Sequence, residues 1–217
     1  MTGYHGNVHV GGAPDVRELT ELVITKVAVG PYDNNVYLLR CRDSGEQLLI
    51  DAASDAPALR RLVGDGLATI FTTHRHQDHW QALDELASAT EARTMAGRED
   101  APAIPVATDH LIDDGDTVTV GRCRLRAIHL VGHTPGSIAL LYDDPHGHPH
   151  LFTGDSLFPG GPGKTTSPEN FTSLMDDLEA KLFDALPDET WVYPGHGRDT
   201  TLGAERSSIP KWRARGW

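Results

Sequence analysis

Thr72-Thr73-His74-Arg75-His76-Gln77-Asp78-His79 decides how the rest of this chain is read. The last six residues hold three imidazoles and one carboxylate. So many donors in one place cost desolvation and mutual repulsion unless a cation offsets both. Imidazole and carboxylate together suit zinc and its divalent neighbours. Held in a loop, His74 and His76 can converge on one ion while Asp78 and His79 turn toward a second. A simple helix N-cap at Asp78 would need one carboxylate and no histidine. The run before the loop, LATIFTT (67–73), reads as a buried strand, and HWQALDELASAT (79–90) after it has helical spacing. The donors thus sit where two rigid elements can hold a loop in one geometry.

Outward from this loop the pattern repeats. Upstream, LVITKVAV (22–29), NVYLLRC (35–41) and QLLIDA (47–52) are aliphatic strands separated by turn chemistry, and residues 55–64 form a helix. Downstream come strands over 117–132, with Gly121 and Arg122 as a hairpin turn, then SIALLYD (137–143) and HLFTGD (150–155). An amphipathic helix is predicted over 168–186, capped by Ser167 with Pro168 at its first position. A last strand, 189–197, runs into a glycine turn. Strands then a helix, twice over, predict an α/β (α+β) fold of two half-domains stacked sheet to sheet with helices outside. Residues 1–20 read as an N-terminal arm and 21–217 as one domain.

Composition bounds the function. The chain has 217 residues, 39% hydrophobic and 23% charged, which suits one globular domain. Its net charge of −12 argues against nucleic-acid partners. No apolar run is long enough for a bilayer span, and the N-terminus has no signal-peptide pattern, so the expectation is a cytoplasmic protein without a membrane partner. Cys41 and Cys123 read as buried apolar residues. Gly160–Thr165 mimics a phosphate-binding loop but has Phe158 where that motif needs glycine. His146, His148 and His150 are read as a solvated turn, and no GxSxG elbow occurs.

Four further pieces join the histidine loop: Gly132-His133-Thr134-Pro135-Gly136-Ser137, Thr153-Gly154-Asp155-Ser156-Leu157-Phe158, Pro194-Gly195-His196-Gly197, and upstream Asp33-Asn34-Asn35-Val36-Tyr37 with Leu49-Ile50-Asp51. In this order they resemble the metallo-β-lactamase-fold superfamily over about residues 22–200. The resemblance implies a four-layer αββα sandwich and two divalent ions, zinc first, with iron or manganese as alternatives. His74, His76 and His133 would hold one ion and Asp78, His79 and His196 the other, with Asp155 bridging. A metal-bridging hydroxide would be the nucleophile, oriented by Asp78 as the catalytic carboxylate.

Ligand identities separate the branches. Asp155 stands where classical β-lactamases place cysteine, and His76 where flavodiiron proteins place an acid. GHTPGS, TGDSLF and YPGHG look most like the glyoxalase II group, which hydrolyses acylated small thiols. The chain departs from that group at Trp80-Gln81-Ala82 and in having only 21 residues after His196, without the glutathione-gripping C-terminal helical region. Glutathione, mycothiol and coenzyme A are therefore equal candidates as carrier. The substrate is expected to be a small acyl-thiol bound by a monomer or homodimer. Lys164 would meet an anionic substrate, Phe158 would make an apolar contact, and Trp80 would line the pocket mouth. The glycine-rich loop 156–167 is read as a mobile lid. The alternatives are a persulfide dioxygenase with one iron on His79, His133 and Asp155, then a lactonase, then a non-catalytic metal-binding module.

Overall fold

The structure, a computed structural model, describes residues 3–216. Its first sheet takes β1 (Asp15–Glu18), β2 (Leu22–Val29), β3 (Asn34–Cys41), β4 (Gln47–Ile50), β5 (Leu67–Thr72), β6 (Arg93–Gly97) and β7 (His110–Ile112), in that spatial order. The second is built from β8 (Thr117–Val120), β9 (Cys123–His129), β10 (Ile138–Tyr142) and β11 (His150–Gly154). Between the second sheet's strands in sequence lies a separate two-stranded ribbon, β12 (Leu157–Phe158) and β13 (Gly161–Pro162). The second sheet is completed by β14 (Trp191–Pro194) and β15 (Thr200–Thr201), giving the order β15-β14-β11-β10-β9-β8.

Period-two alternation explains the layering. In β3, Tyr37, Leu39 and Cys41 enter the core between the sheets, while Val36 and Leu38 face the opposite side. That outer side packs against α1 (Ala56–Val63) and α2 (Leu83–Thr90) through Leu59, Val63, Leu83 and Leu86. The second sheet does the same: Leu125, Leu140, Phe152 and Tyr193 face the first sheet. Ile128, Leu141, Leu151 and Val192 face α3 (Pro168–Asp177) and its continuation. Two sheets share one core and each carries helices outside. The fold is the αββα sandwich that the sequence implied.

Several elements differ from expectation. The sheet begins inside the stretch read as an arm, because β1 pairs with β2 from Asp15↔Lys26 to Glu18↔Val23. The helix after the histidine loop starts at Leu83, and residues 77–79 form a single 3-10 turn instead. The long helix begins as predicted, with the Ser167 hydroxyl accepting from Asn170 N at 3.2 Å, but continues past Asp177 as a π-helical turn over Leu178–Phe183. Two short helices, α4 (Leu202–Arg206) and α5 (Ile209–Arg215), follow β15.

The segment 156–167 is no free lid. Its β12–β13 ribbon is tied at both ends, by Gly163 N to Ser156 O at 3.1 Å and by Gly160 N to Glu205 Oε2 at 2.9 Å. His150 is not in a solvated turn either. It lies in β11 with no exposed surface, its Nδ1 2.9 Å from the Tyr193 hydroxyl. Among the described residues, no helix is long and apolar enough to cross a membrane.

Candidate metal centre

Each of the seven sequence-selected donors follows a strand. His74, His76, Asp78 and His79 follow β5, His133 follows β9, Asp155 follows β11 and His196 follows β14. Rigid strands from both sheets therefore bring loops far apart in sequence to one end of the sandwich. There the donor atoms form three groups, each within 4.8 Å of one another: His74/His76/His133, His74/His79/Asp155 and Asp78/His79/His196. Asp155 stands between the sides. Its Oδ2 is 3.7 Å from His133 Nε2 and 3.5 Å from His196 Nε2, and its Oδ1 is 3.5 Å from His79 Nε2. The trio His79, His133 and Asp155, read above as a single-iron face, is not one of these groups. His79 groups with Asp78 and His196 and also with His74 and Asp155, whereas His133 groups with His74 and His76.

The outer partners fix which ring nitrogen faces the centre. His133 Nδ1 lies 2.7 Å from Lys164 O and His196 Nδ1 lies 2.9 Å from Tyr32 O. A carbonyl only accepts, so both Nδ1 atoms carry the proton and both Nε2 atoms offer lone pairs. His79 Nδ1 donates to Asp51 Oδ2 at 2.8 Å, with the same result. The Thr73 hydroxyl donates its one proton to Asp51 at 2.8 Å, so at 3.0 Å it accepts from His74 Nδ1. Four imidazoles thus aim Nε2 inward, and His76 turns its Nδ1 toward the same centre. His74 Nε2 then sits 3.1 Å from His76 Nδ1 and 3.3 Å from His133 Nε2. His79 Nε2 and Asp155 Oδ1 are buried without a hydrogen-bond partner among the described residues. Lone pairs facing lone pairs, beside orphaned buried donors, are what a cation would resolve. The residues fit divalent ions.

Titration divides the site in two. Burial pushes the pKa of His74, His76 and His133 below the ordinary imidazole value, so these rings are neutral and ready to ligate. Burial opposes charge on His79 as well, but Asp51 and Asp155 outweigh it and raise that pKa to about 10. His196 is raised against the same burial, by Asp155. Burial works against the Asp155 charge, yet His196 and His79 hold its carboxyl well below the usual range. The carboxylates thus favour positive charge on the His79 and His196 side, the charge that a second cation would supply.

Three further residues hold these loops, and the sequence reading did not single them out as site residues. Asp51, at φ 62° directly after β4, also accepts Thr73 N at 2.7 Å. Asp100, fully buried, accepts from Arg75 N at 3.0 Å, Thr134 Oγ1 at 2.5 Å and Gly136 N at 2.9 Å, joining the His76 and His133 loops. Asn34 Nδ2 donates to Asp78 Oδ2 at 2.9 Å. The signal available for Asp51 was the one used for His74, a polar residue directly after an apolar strand.

The three candidate substrate residues fare differently. Phe158 is half-buried, its ring 6.4 Å from that of His196. Lys164 has an exposed side chain at a cavity of about 320 Å³ that Phe171 and Arg215 also line. Trp80 packs on the helix-side core and donates Nε1 to Arg75 O at 2.9 Å, so it braces the histidine loop. The wall beside Asp78 is instead Tyr32, Gln77 and Gln81, around a cavity of about 280 Å³.

A four-layer sandwich with His and Asp donors gathered at its strand ends defines a class of metal-binding proteins. Residues 29–196 match the model of the metallo-beta-lactamase superfamily, and the chain belongs to that family. Among curated relatives, a hydroxyacylglutathione hydrolase from Fuscovulum blasticum is 39% identical over 169 residues, 76% of this chain and 62% of the relative. The chain thus spans less than two thirds of that protein. Among solved structures, ETHE1 from Myxococcus xanthus is similar with TM-score 0.77 and 28% identity, covering 88% of this chain and 84% of that one. TTHA1623, solved in a di-iron-bound form, is similar with TM-score 0.70 and 30% identity over 86% of this chain and 98% of that one.

Proposed function

We propose that the chain is a hydrolase of small acyl-thiols that works with two divalent ions: His74, His76 and His133 would hold one and Asp78, His79 and His196 the other, with Asp155 between the two sets. The observation that carries this reading is Asp155 lying within 3.7 Å of ring nitrogens on both sides. The name of the Fuscovulum blasticum relative supports the thioester class, and the di-iron form of TTHA1623 supports two ions. When bound, such ions would supply a water whose pKa falls from about 15.7 to about 7 and a charge that polarises a carbonyl. The protein's own residues do the rest. Asn34 fixes the Asp78 carboxylate, which orients the attacking water's proton. Phe158 offers an apolar wall beside His196. Lys164, its carbonyl anchored by His133, steers a negatively charged acyl-thiol into a protein of net charge −12.

A single-iron persulfide dioxygenase is the second reading, favoured by the ETHE1 likeness. A thioester panel tests the first. Lys164→Ala should raise KM for an anionic thioester about tenfold, the scale of one charge-assisted contact, and leave a neutral thioester unchanged. Equal effects on both substrates would place recognition elsewhere.

A further inference from the structure

Behind the turn that carries His196 lies a lysine with no exposed surface. Lys26, in β2, spends its three N–H groups on Gly6 O at 2.8 Å, Gly197 O at 2.7 Å and Asp199 Oδ1 at 2.6 Å. The other Asp199 oxygen accepts the Tyr4 hydroxyl at 2.6 Å and Trp191 Nε1 at 2.9 Å. Asn35 Nδ2 reaches both Pro194 O and Gly197 O at 2.9 Å, and the Tyr37 hydroxyl donates to Pro194 O at 2.7 Å. Both flanks of His196 are therefore tied to β2 and β3 by side chains that never touch the metal donors.

The N-terminal segment closes this cage. Gly6 accepts from Lys26 while its own N–H donates to Asp15 Oδ2 at 2.8 Å. Its φ is +68°, and a Cβ there would overlap the Asp199 carboxylate, so only glycine fits. Tyr4 packs edge-on to Trp191, and the Arg17 guanidinium lies 4.4 Å from the Tyr4 ring centre and 3.9 Å from that of Trp191. A buried ion pair is a poor source of stability compared with apolar packing. What it supplies is a defined geometry, and here the geometry is that of the His196 turn.

We propose that Lys26, Asp199 and the segment Tyr4–Gly6 are positioning residues for the second ion, holding the Pro194–Gly197 turn so that His196 Nε2 meets Asp78 and Asp155. The metal part of this inference rests on the two-ion reading; the positioning part does not. Hydrogen exchange on the metal-free protein therefore comes first. In Lys26→Met the amides of residues 195–198 should exchange about tenfold faster, as for a segment released into local opening, while those of the 74–79 loop stay unchanged. Tyr4→Phe, which removes one hydroxyl, should shift the same amides in the same direction by less. It decides the matter if Lys26→Met does not fold. Calorimetric zinc titration should then show the second equivalent weakened about tenfold and the first retained, the range typical of lost outer partners.

Unchanged exchange at 195–198 would overturn the proposal. Equal loosening of both loops, or equal weakening of both zinc equivalents, would also overturn it by showing a general structural role. If the unaltered protein takes up one zinc only, the two-ion reading falls, and the exchange result still decides whether Lys26 positions the turn.

Discussion

Replacing Asp51 by asparagine alters one atom and probes how the second metal group is organised. Asp51 is 2% exposed and accepts three protons on two oxygens: Thr73 N at 2.7 Å, Thr73 Oγ1 at 2.8 Å and His79 Nδ1 at 2.8 Å. An amide has one accepting oxygen. Turned one way, its NH2 opposes the Thr73 amide. Turned the other, it donates to His79 Nδ1 and drives the ring proton onto Nε2, the nitrogen that faces Asp78 and Asp155. Two bonds to a charged acceptor are lost, at about 1.5–3 kcal/mol each, so unfolding free energy should fall by roughly 3–6 kcal/mol.

Affinity for the second ion should fall about 10–100-fold. Urea unfolding of the metal-free protein and competition against a coloured chelator measure the two effects. The pH dependence adds a sign. His79 is raised to about 10 in the metal-free fold, so it stabilises fully below its unfolded value of about 6.5 and the benefit is lost as pH rises toward 10. Removing the Asp51 charge should flatten that decline. An Asp51→Asn protein with unchanged stability, two tightly held ions and the same pH profile would refute this reasoning.

Asp155→Ala should lose at least one ion by elemental analysis and nearly all turnover, while circular dichroism stays native, since the apolar cores are complete without metal. Gly195→Ala should fold but bind metal poorly, because its Cβ would overlap Asp155 Oδ1 and come within 2.8 Å of His79 Cε1; unchanged metal content would count against the geometry. His150, whose pKa burial pushes down to about 3, stays neutral in the fold while the unfolded chain takes a proton near 6.5. Stability should therefore fall as pH drops through that window, by about 2–3 kcal/mol at about pH 4.5, and denaturation midpoints of His150→Phe should show a shallower acid decline.

The parts of this protein that were legible in its sequence share a physical reason. Continuous apolar strands such as LATIFTT declare burial on both faces, and donors directly after them declare a site at the strand ends. The strands β6 and β7 were missed because RTMAG and HLI are short and carry little alternation. Their place comes from parallel pairing to neighbours, which local pattern does not encode. The lid reading of 156–167 failed for a related reason. Glycine and proline content signals freedom only when nothing distant satisfies the backbone, and Glu205 does so here. His150 was misread because a PHGHPH run looks solvated until Tyr193 from another strand supplies its partner. Lys26 sits in an apolar run, and its acceptors come from residues 6, 197 and 199, a convergence that only the fold reveals.

The proposed site uses seven side chains from two half-domains to hold two ions for thioester hydrolysis. It is tested most directly by elemental analysis of the purified protein together with initial rates on a thioester panel. Two divalent ions per chain, with hydrolysis that disappears on chelation and returns on adding metal back, is the predicted result. One iron per chain with oxygen uptake on a persulfide, and no thioester cleavage, would contradict it.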